Sequence, residues 1–193
     1  MKKTKLFIGI ILFAASVLTG YFLNKNHFFN LLKQAETAQP GSLVQTPTSV
    51  PVPSFPPTLG NFLVTNREIC KEGEKPQVYF FGSVNCSHCV WEKQMAKEVF
   101  DQFKDAIAYH ENFDSSNDSE VLMSYSDINP GYIPFIVLGC KYARVGAGEN
   151  LGATDAESQK LEKEALASIL CKLTDGNPTS VCGPLKDKTS QVK

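Results

Sequence analysis

The sequence predicts an α/β domain, in which helices flank a central sheet, behind a separate N-terminal region. A short β-branched and aromatic run at residues 78–81 is broken by Gly82 and Ser83, and from Val90 the apolar residues follow helical spacing. Residues 106–110 then have the composition of a second strand. Because a helix crosses between the two strands, we expect them to be parallel.

Two cysteines, Cys86 and Cys89, stand where the first strand passes into this helix. Unpaired backbone N–H groups and the positive end of the helix dipole stabilise an anion at a helix N-terminus, and a thiolate is such an anion. The thiolate is the form that attacks disulfides. We expect Cys86 to be the exposed nucleophile and Cys89, inside the first turn, to be its partner. When charged, His88 favours the thiolate and makes the disulfide a stronger oxidant.

The competing interpretations of this cysteine pair are half of a structural zinc site and an inert local disulfide. Zinc usually takes four ligands, with a second pair at similar spacing, and the sequence holds no second Cys-x-x-Cys. Redox chemistry is therefore favoured. The redox centre is then the Cys86–Cys89 disulfide itself, with no metal and no other cofactor.

The succession of strand, Cys-x-x-Cys and helix resembles the thioredoxin superfamily. The inner pair, Ser87 and His88, is closer to the Pro-His of periplasmic thiol oxidases and the Gly-His of protein disulfide isomerases than to the Gly-Pro of reducing thioredoxins. A second motif, Ile133 and Pro134 before an apolar run, resembles the segment in which a cis-proline faces the active-site cysteines and opens an antiparallel strand. The resemblance covers residues 62–173 and implies a thioredoxin-like three-layer fold.

The resemblance also implies how a substrate would bind. The backbone of Ile133 would pair with an extended substrate peptide, as an added strand. An ordinary trans peptide bond before Pro134 is the alternative, since cis forms are only ~5–6% of X–Pro bonds.

The sequence departs from the family pattern at two positions. Many members carry a buried acid in the core strand six positions before the first active-site cysteine, where this chain has Phe80. The usual tryptophan before the motif is replaced by Asn85. Proton exchange with Cys89 would then use water or another group, such as Glu92. This departure disfavours a role as a general reductase.

The chain divides into five regions. Residues 1–5 are basic, and residues 6–23 form an uncharged, largely apolar run of 18 residues. That length is near the lower limit of ~17–25 for a spanning helix, and the charges ahead of it place the N-terminus in the cytoplasm. We expect an uncleaved signal anchor, with a cleaved signal peptide as the alternative. A Pro/Ser/Thr-rich linker at 24–58, the α/β domain at 59–184 and a disordered tail at 185–193 follow.

Four further cysteines are expected to be oxidised, because disulfides persist outside the cytoplasm. In the sheet that the resemblance implies, the strand after Pro134 runs antiparallel to the core strand, so its end at Cys140 lies near Cys70. Cys171 lies near the end of the last helix, and Cys182 follows a turn. We expect the disulfides Cys70–Cys140 and Cys171–Cys182, with a free buried thiol at Cys140 as the alternative.

The other elements have local signals. Residues 118–126 favour a helix capped by Asn117 or Asp118. Thr154 and Glu157 have the spacing of a capping box at the start of a long amphipathic helix. Residues 135–145 favour a hairpin.

With 42% hydrophobic and 20% charged residues and a net charge of −1, the composition indicates no nucleic-acid partner. We expect a membrane-anchored, extracytoplasmic thiol–disulfide oxidoreductase, acting as an oxidase or isomerase rather than a reductase. Its partners would be substrate proteins and a membrane protein that recharges the active site. The alternative is a non-catalytic thioredoxin-like module that binds a peptide or metal ion and carries an incidental cysteine pair.

Overall fold

The computed structural model describes residues 54–193, which form a mixed α/β unit with a largely antiparallel sheet flanked by helices. The predicted basic segment, membrane anchor and linker up to residue 53 lie outside the described residues. Within residues 54–193, no helix is both long and apolar enough to cross a membrane. The elements are β1 (Leu63–Val64), β2 (Lys71–Glu72), β3 (Lys75–Gly82), α1 (Ser87–Phe100), β4 (Ala108–Phe113), α2 (Ser119–Ser124), β5 (Phe135–Leu138), β6 (Tyr142–Val145), α3 (Asp155–Leu173), α4 (Thr179–Cys182) and α5 (Lys186–Thr189), with 3₁₀ turns at Leu59–Asn61 and Asp101–Phe103.

The central strand of the sheet is β3. On one side the order continues as β5, β6 and β1, with every neighbouring pair antiparallel. On the other side β4 pairs with β3 in parallel, and β2 adds a short antiparallel pair to the start of β3. The parallel pair confirms the sequence prediction, because α1 makes the crossover between the two strands. The predicted hairpin is also confirmed, as β5 and β6.

Successive residues of β3 point to opposite faces of the sheet, and both faces are covered. Val78 and Phe80 lie in a larger core with α1 and α3, whose other members include Phe62, Val99, Phe103, Ile136, Leu166 and Leu170. Tyr79 and Phe81 lie in a smaller core with Tyr125, Phe135, Val137 and Ala143. Burial on both faces explains why this strand reads as an unbroken apolar run.

The two predicted helix starts differ in how they are capped. At α3, the hydroxyl of Thr154 accepts the backbone N–H of Glu157 at 3.2 Å, and the Glu157 carboxylate accepts the N–H of Ala153 at 2.9 Å. At α2, Asp118 occupies the predicted cap position, but its side chain makes no capping hydrogen bond. Its carboxylate instead accepts a hydrogen bond from the side-chain amide of Asn112 at 3.0 Å.

Both structural disulfides have the predicted partners. Cys70 pairs with Cys140, and Cys171 pairs with Cys182, each with Cα atoms 5.4 Å apart. The alternative of a free thiol at Cys140 is therefore wrong. The first bridge ties the start of β3 to the β5–β6 turn, and the second holds the C-terminal segment on α3.

The prediction that residues 185–193 are disordered is wrong. Part of this segment forms α5, and the side chain of Val192 is only 2% exposed and lies in the larger core. Its backbone is also held, because the hydroxyl of Tyr142 donates to the Lys193 carbonyl at 2.9 Å and the N–H of Lys193 donates to Thr58 at 3.0 Å. The polar composition suggested disorder, but the apolar side chains of Leu185 and Val192 pack on the larger core and hold the segment.

The domain also begins earlier than residue 59. The backbone N–H of Val64 donates to the carbonyl of Pro56 at 2.9 Å, and Pro57 forms a β-bridge with Leu63. The last residues of the predicted linker therefore belong to the folded unit.

Val192→Ala is expected to lower the free energy of unfolding by about 2 kcal/mol, from the lost burial of two methyl groups and the cavity they leave. Urea unfolding followed by circular dichroism measures the change. Gln191→Ala, at the neighbouring exposed position, is the matched control and should have little effect. If both variants unfold like the wild type, the C-terminal segment contributes no packing energy.

Candidate functional site

The turn between β3 and α1 places Cys86 at the N-cap of the helix. At the end of β3, a Cβ atom on Gly82 would lie 2.7 Å from the ring of Phe113, so the glycine leaves the space that this ring occupies. The backbone N–H of Val84 donates to the carboxylate of Asp114 at 3.0 Å. Hydrogen bonds from Ser83 and from this N–H lower the pKa of Asp114. The turn is thus fixed to the end of β4.

Cys86 and Cys89 form a disulfide across the first turn of α1, with Cα atoms 5.2 Å apart. The backbone N–H of Cys89 donates to Sγ of Cys86 at 3.2 Å, so the sulfur takes the place of an N-cap oxygen. Cys86 is partly exposed, whereas Cys89 is 0% exposed. An incoming sulfur atom can therefore approach Cys86 but not Cys89, which agrees with the expected exposure of the pair.

The electrostatics of this helix start favour an anion. The first turn of α1 carries no acidic side chain, so the positive end of the helix dipole is not neutralised from within the helix. The side chain of His88 is 66% exposed, and its Nδ1 is hydrogen-bonded to the carboxylate of Glu149, whose side chain is 24% exposed. Glu149 lies between β6 and α3, and it was not identified from the sequence. It is 61 residues from His88, and its local pattern gives no signal of the contact.

The predicted substrate-binding residues lie at the same end of the sheet as the cysteines. The peptide bond between Ile133 and Pro134 is cis, as the resemblance implied. The antiparallel register of β5 with β3 ends with Phe135 opposite Phe81, so Pro134 lies at the end of the sheet where β3 leads to the cysteines. The carbonyl of Pro134 accepts the N–H of Gly146 at 2.8 Å, but within residues 54–193 Ile133 makes no backbone hydrogen bond. The backbone of Ile133 is therefore available to a partner.

Four exposed apolar side chains lie close in the chain to the cysteine pair or to Pro134. Two of them flank the cysteine pair in the chain, and two precede Pro134. They are Val84, Val90, Tyr132 and Ile133, and we call these four residues the apolar rim. Of the four, sequence reasoning named only Ile133 as a binding residue. Exposure of an apolar side chain is a tertiary property, and periodicity alone does not reveal it.

One helical turn after Cys89, a buried ion cluster joins α1 to β6 and α3. The guanidinium of Arg144 lies 2.8 Å from Glu92 Oε1 and 2.6 and 2.8 Å from the two carboxylate oxygens of Glu162. All three side chains are buried. The second oxygen of Glu92 accepts the N–H of Gly148 at 2.9 Å. Sequence reasoning named Glu92, which shares a helix face with Cys89, but missed Arg144 and Glu162.

The ion cluster contains two carboxyl groups and one guanidinium, and the pKa values of Glu92 and Arg144 are shifted. Burial raises the pKa of Glu92 to about 8, with Arg144 opposing the shift and Glu162 adding to it. Burial disfavours the charge on Arg144, but the two carboxylates outweigh this effect and raise its pKa. Arg144 therefore stays positively charged, and the carboxyl group of Glu92 can carry a proton near neutral pH.

The remaining histidine among the described residues has a different setting. His110 lies on β4, stacks on the ring of Tyr79 with centroids 4.6 Å apart, and places Nε2 3.2 Å from the Glu72 carboxylate. His27 lies outside the described residues. Within residues 54–193 no group of three or more histidine, cysteine, aspartate or glutamate side chains is placed to hold a metal ion.

A comparison of the chain with models of protein families, with curated proteins and with solved structures finds no match in any of the three.

Glu92→Gln is expected to change how stability depends on pH. Because the pKa of Glu92 is raised by folding, the folded state binds more protons than the unfolded state between about pH 4.5 and about pH 8. The free energy of unfolding of the wild type should therefore fall as pH rises through this window, and a neutral glutamine should remove part of that slope. Urea unfolding at pH 5 and pH 8 measures the difference.

Glu98→Gln is the matched control, since Glu98 is an exposed glutamate on the same helix. It should leave the pH slope of the wild type unchanged. An equal slope in the wild type and Glu92→Gln would show that Glu92 does not titrate in this window.

Proposed function

We propose that this protein is a thiol–disulfide oxidoreductase with a thioredoxin-like domain, acting through Cys86 and Cys89. The observation that carries the proposal is a disulfide at a helix N-terminus with one sulfur accessible and the other buried. The loop that this bridge closes spans a sequence separation of only 3, against 70 for Cys70–Cys140 and 11 for Cys171–Cys182. A disulfide restricts the unfolded chain less as its loop shortens, so a structural role alone explains this bridge poorly.

The order of the elements supports the thioredoxin-like, three-layer assignment. A central strand leads into the cysteines and a helix, and a parallel strand follows. After α2, a proline preceded by a cis peptide bond opens an antiparallel hairpin, and a long helix covers the larger core. This is the order that the resemblance implies for residues 62–173.

The reaction balances without any further reactant. A substrate thiolate attacks Sγ of Cys86, the Cys86–Cys89 bond breaks, and Cys89 leaves as a thiolate that takes up a proton. A second substrate thiolate then attacks the substrate sulfur of the mixed disulfide and expels the thiolate of Cys86. Two substrate thiols become a disulfide, and the two electrons remain on the cysteine pair as thiols. The reverse sequence reduces a substrate.

The electrostatics of the site favour oxidation or isomerisation of substrate proteins over their reduction. The helix N-terminus stabilises the thiolate of Cys86 in the reduced protein, and a charged His88 adds to this effect. Stabilising the reduced form makes the disulfide a stronger oxidant.

A buried Cys89 also needs a group with which to exchange a proton. The core-strand position where many family members carry an acid is Phe80, which is 0% exposed in the larger core. Glu92 lies one turn beyond Cys89 on the same face of α1, and its pKa of about 8 is close to the ~8.5 of a free thiol. Glu92 is therefore the group proposed to exchange a proton with Cys89.

A substrate peptide would bind by strand addition. The backbone of Ile133 has no hydrogen-bond partner among residues 54–193, and it adjoins Pro134 at the end of the sheet that carries the cysteines. The apolar rim would contact apolar side chains of an extended, locally unfolded substrate.

The proposed location is the extracytoplasmic face of a membrane, through the apolar segment at residues 6–23. A membrane protein that exchanges disulfides with Cys86 would return the pair to its active redox state.

A second candidate function is a binding module whose cysteine pair is incidental. The observation that favours it is the combination of the apolar rim with an unpaired backbone at Ile133, since both would bind a peptide without any electron transfer. Alkylation of Cys86 in the reduced protein separates the two functions. An oxidoreductase loses activity, whereas a binder retains its affinity for the peptide.

Cys89→Ala should trap substrates as mixed disulfides on Cys86, because no second sulfur remains to release them. Cys86→Ala is the matched control and should trap nothing, since the remaining sulfur is buried. The full-length variants are expressed in an exporting cell, and the extracts are compared by non-reducing electrophoresis and mass spectrometry. If Cys89→Ala traps no partner in such a cell, the oxidoreductase proposal is wrong.

The reduction potential of the Cys86–Cys89 pair should lie near the ~−120 to −180 mV of strong oxidants and isomerases. Equilibration with glutathione, followed by mass determination of the alkylated cysteines, measures it. His88→Ala should make the potential more negative, because the reduced form loses a stabilising cation. A wild-type value near ~−270 mV would instead indicate a reductase.

A further inference from the structure

The contact between His88 and Glu149 belongs to the site, but it has no role in the reaction proposed above. It joins a mostly exposed imidazole, two residues after Cys86 in the chain, to a carboxylate from a distant part of the chain. Most exposed ion pairs of this kind contribute little to stability. Two features favour a role of this pair in the reaction. One is the fixed backbone around Glu149, and the other is the hydrogen bonding of the imidazole.

The backbone that carries Glu149 is fixed to the ion cluster. The N–H of Gly148, the residue before it, donates to the carboxylate of Glu92 at 2.9 Å. A Cβ atom on Gly148 would lie 2.0 Å from an oxygen of Glu162, so the chain lies directly against the cluster. Because Glu92 belongs to the same helix as His88, Glu149 is held at a defined place relative to the first turn of α1.

The contact also decides which nitrogen of His88 can accept a proton. A neutral imidazole that donates its Nδ1–H to a carboxylate has its free lone pair on Nε2. An imidazolium formed by protonation of Nε2 keeps the same hydrogen bond to Glu149. The chain therefore carries, between Cys86 and Cys89, an imidazole whose free lone pair is on a defined nitrogen.

We propose that Glu149 is a positioning residue that holds His88 as the base for the incoming substrate thiol, an inference that rests on the proposed oxidoreductase function. His88 Nε2 takes the proton of the substrate S–H group, and the thiolate so formed attacks Sγ of Cys86. The Cys86–Cys89 bond breaks, and its electron pair leaves on Cys89. The thiolate of Cys89 takes up a proton from Glu92, which regains one from solvent, and the proton on Nε2 passes to solvent, so His88 is neutral again for the second thiol.

The test measures mixed-disulfide formation between the oxidised, full-length chain and excess reduced glutathione at pH 7, by acid quenching and mass spectrometry. Glu149→Gln should slow the reaction about tenfold, a part of the ~10²–10⁴-fold that a positioned acid–base group contributes. His88→Ala should be at least as slow. The double variant should be no slower than His88→Ala, because two residues that act as a unit are not additive. Glu149→Asp, which keeps the carboxylate, should recover part of the rate.

Glu72→Gln is the matched control. This variant removes one of the two carboxylates paired with His110. Glu72 lies on β2, which pairs with the start of β3 rather than with its cysteine end. Its rate should remain that of the wild type, within a factor of about two.

The outcomes separate the two levels of the proposal. A wild-type rate in Glu149→Gln, or an additive loss in the double variant, overturns the role of Glu149 and leaves the oxidoreductase proposal intact. A wild-type rate in His88→Ala overturns the role of His88 as the base. A wild-type protein that forms no mixed disulfide at all overturns the proposed function, and the role of Glu149 with it.

Discussion

The buried cluster of Glu92, Arg144 and Glu162 is the interaction on which the arrangement of the domain depends. Moving charged groups out of water costs several kcal/mol for each ion, and this cost is offset only when geometry and hydrogen bonding are nearly complete. Arg144 meets the condition by also donating to the carbonyl oxygens of Gly60 and Gly146, at 3.0 and 3.2 Å. Its four partners lie on α1, on α3, in the 3₁₀ turn and after β6. One side chain therefore fixes four segments relative to one another.

The position of the cysteines follows from this constraint. The cluster holds α1 from the side of the larger core, while the hydrogen bond from Val84 to Asp114 holds the turn before the helix. The helix N-terminus is thus fixed from both directions. The proposed exchange, which admits a foreign sulfur atom to one cysteine and excludes it from the next, requires such a rigid support.

Local patterns were sufficient for much of the fold. The break at Gly82, the helical spacing after Val90 and the cap at Thr154 each act within a few residues. The strand direction that brought Cys70 to Cys140 came instead from the family resemblance. The contacts that sequence reasoning missed join residues far apart in the chain, as in the pair of His88 with Glu149. Arg144 was missed because its neighbours on β6 are apolar and an arginine in a strand is usually placed toward solvent. The cis peptide bond before Pro134 was expected from family resemblance alone.

The two faces of the sheet are protected unequally. Two long helices, α1 and α3, cover the larger core, but the smaller core lies beneath α2, whose six residues Ser119–Ser124 include none that is buried. Local opening that exposes backbone amides to hydrogen exchange should therefore occur first on this second face. Its free energy should be far below the free energy of global unfolding. The chain passes from α2 through the buried Tyr125 and Asn129 to Tyr132 and Ile133. The segment proposed to receive an unfolded polypeptide is thus attached to the face that opens most readily, so it can adapt to different sequences while the cysteines remain in place.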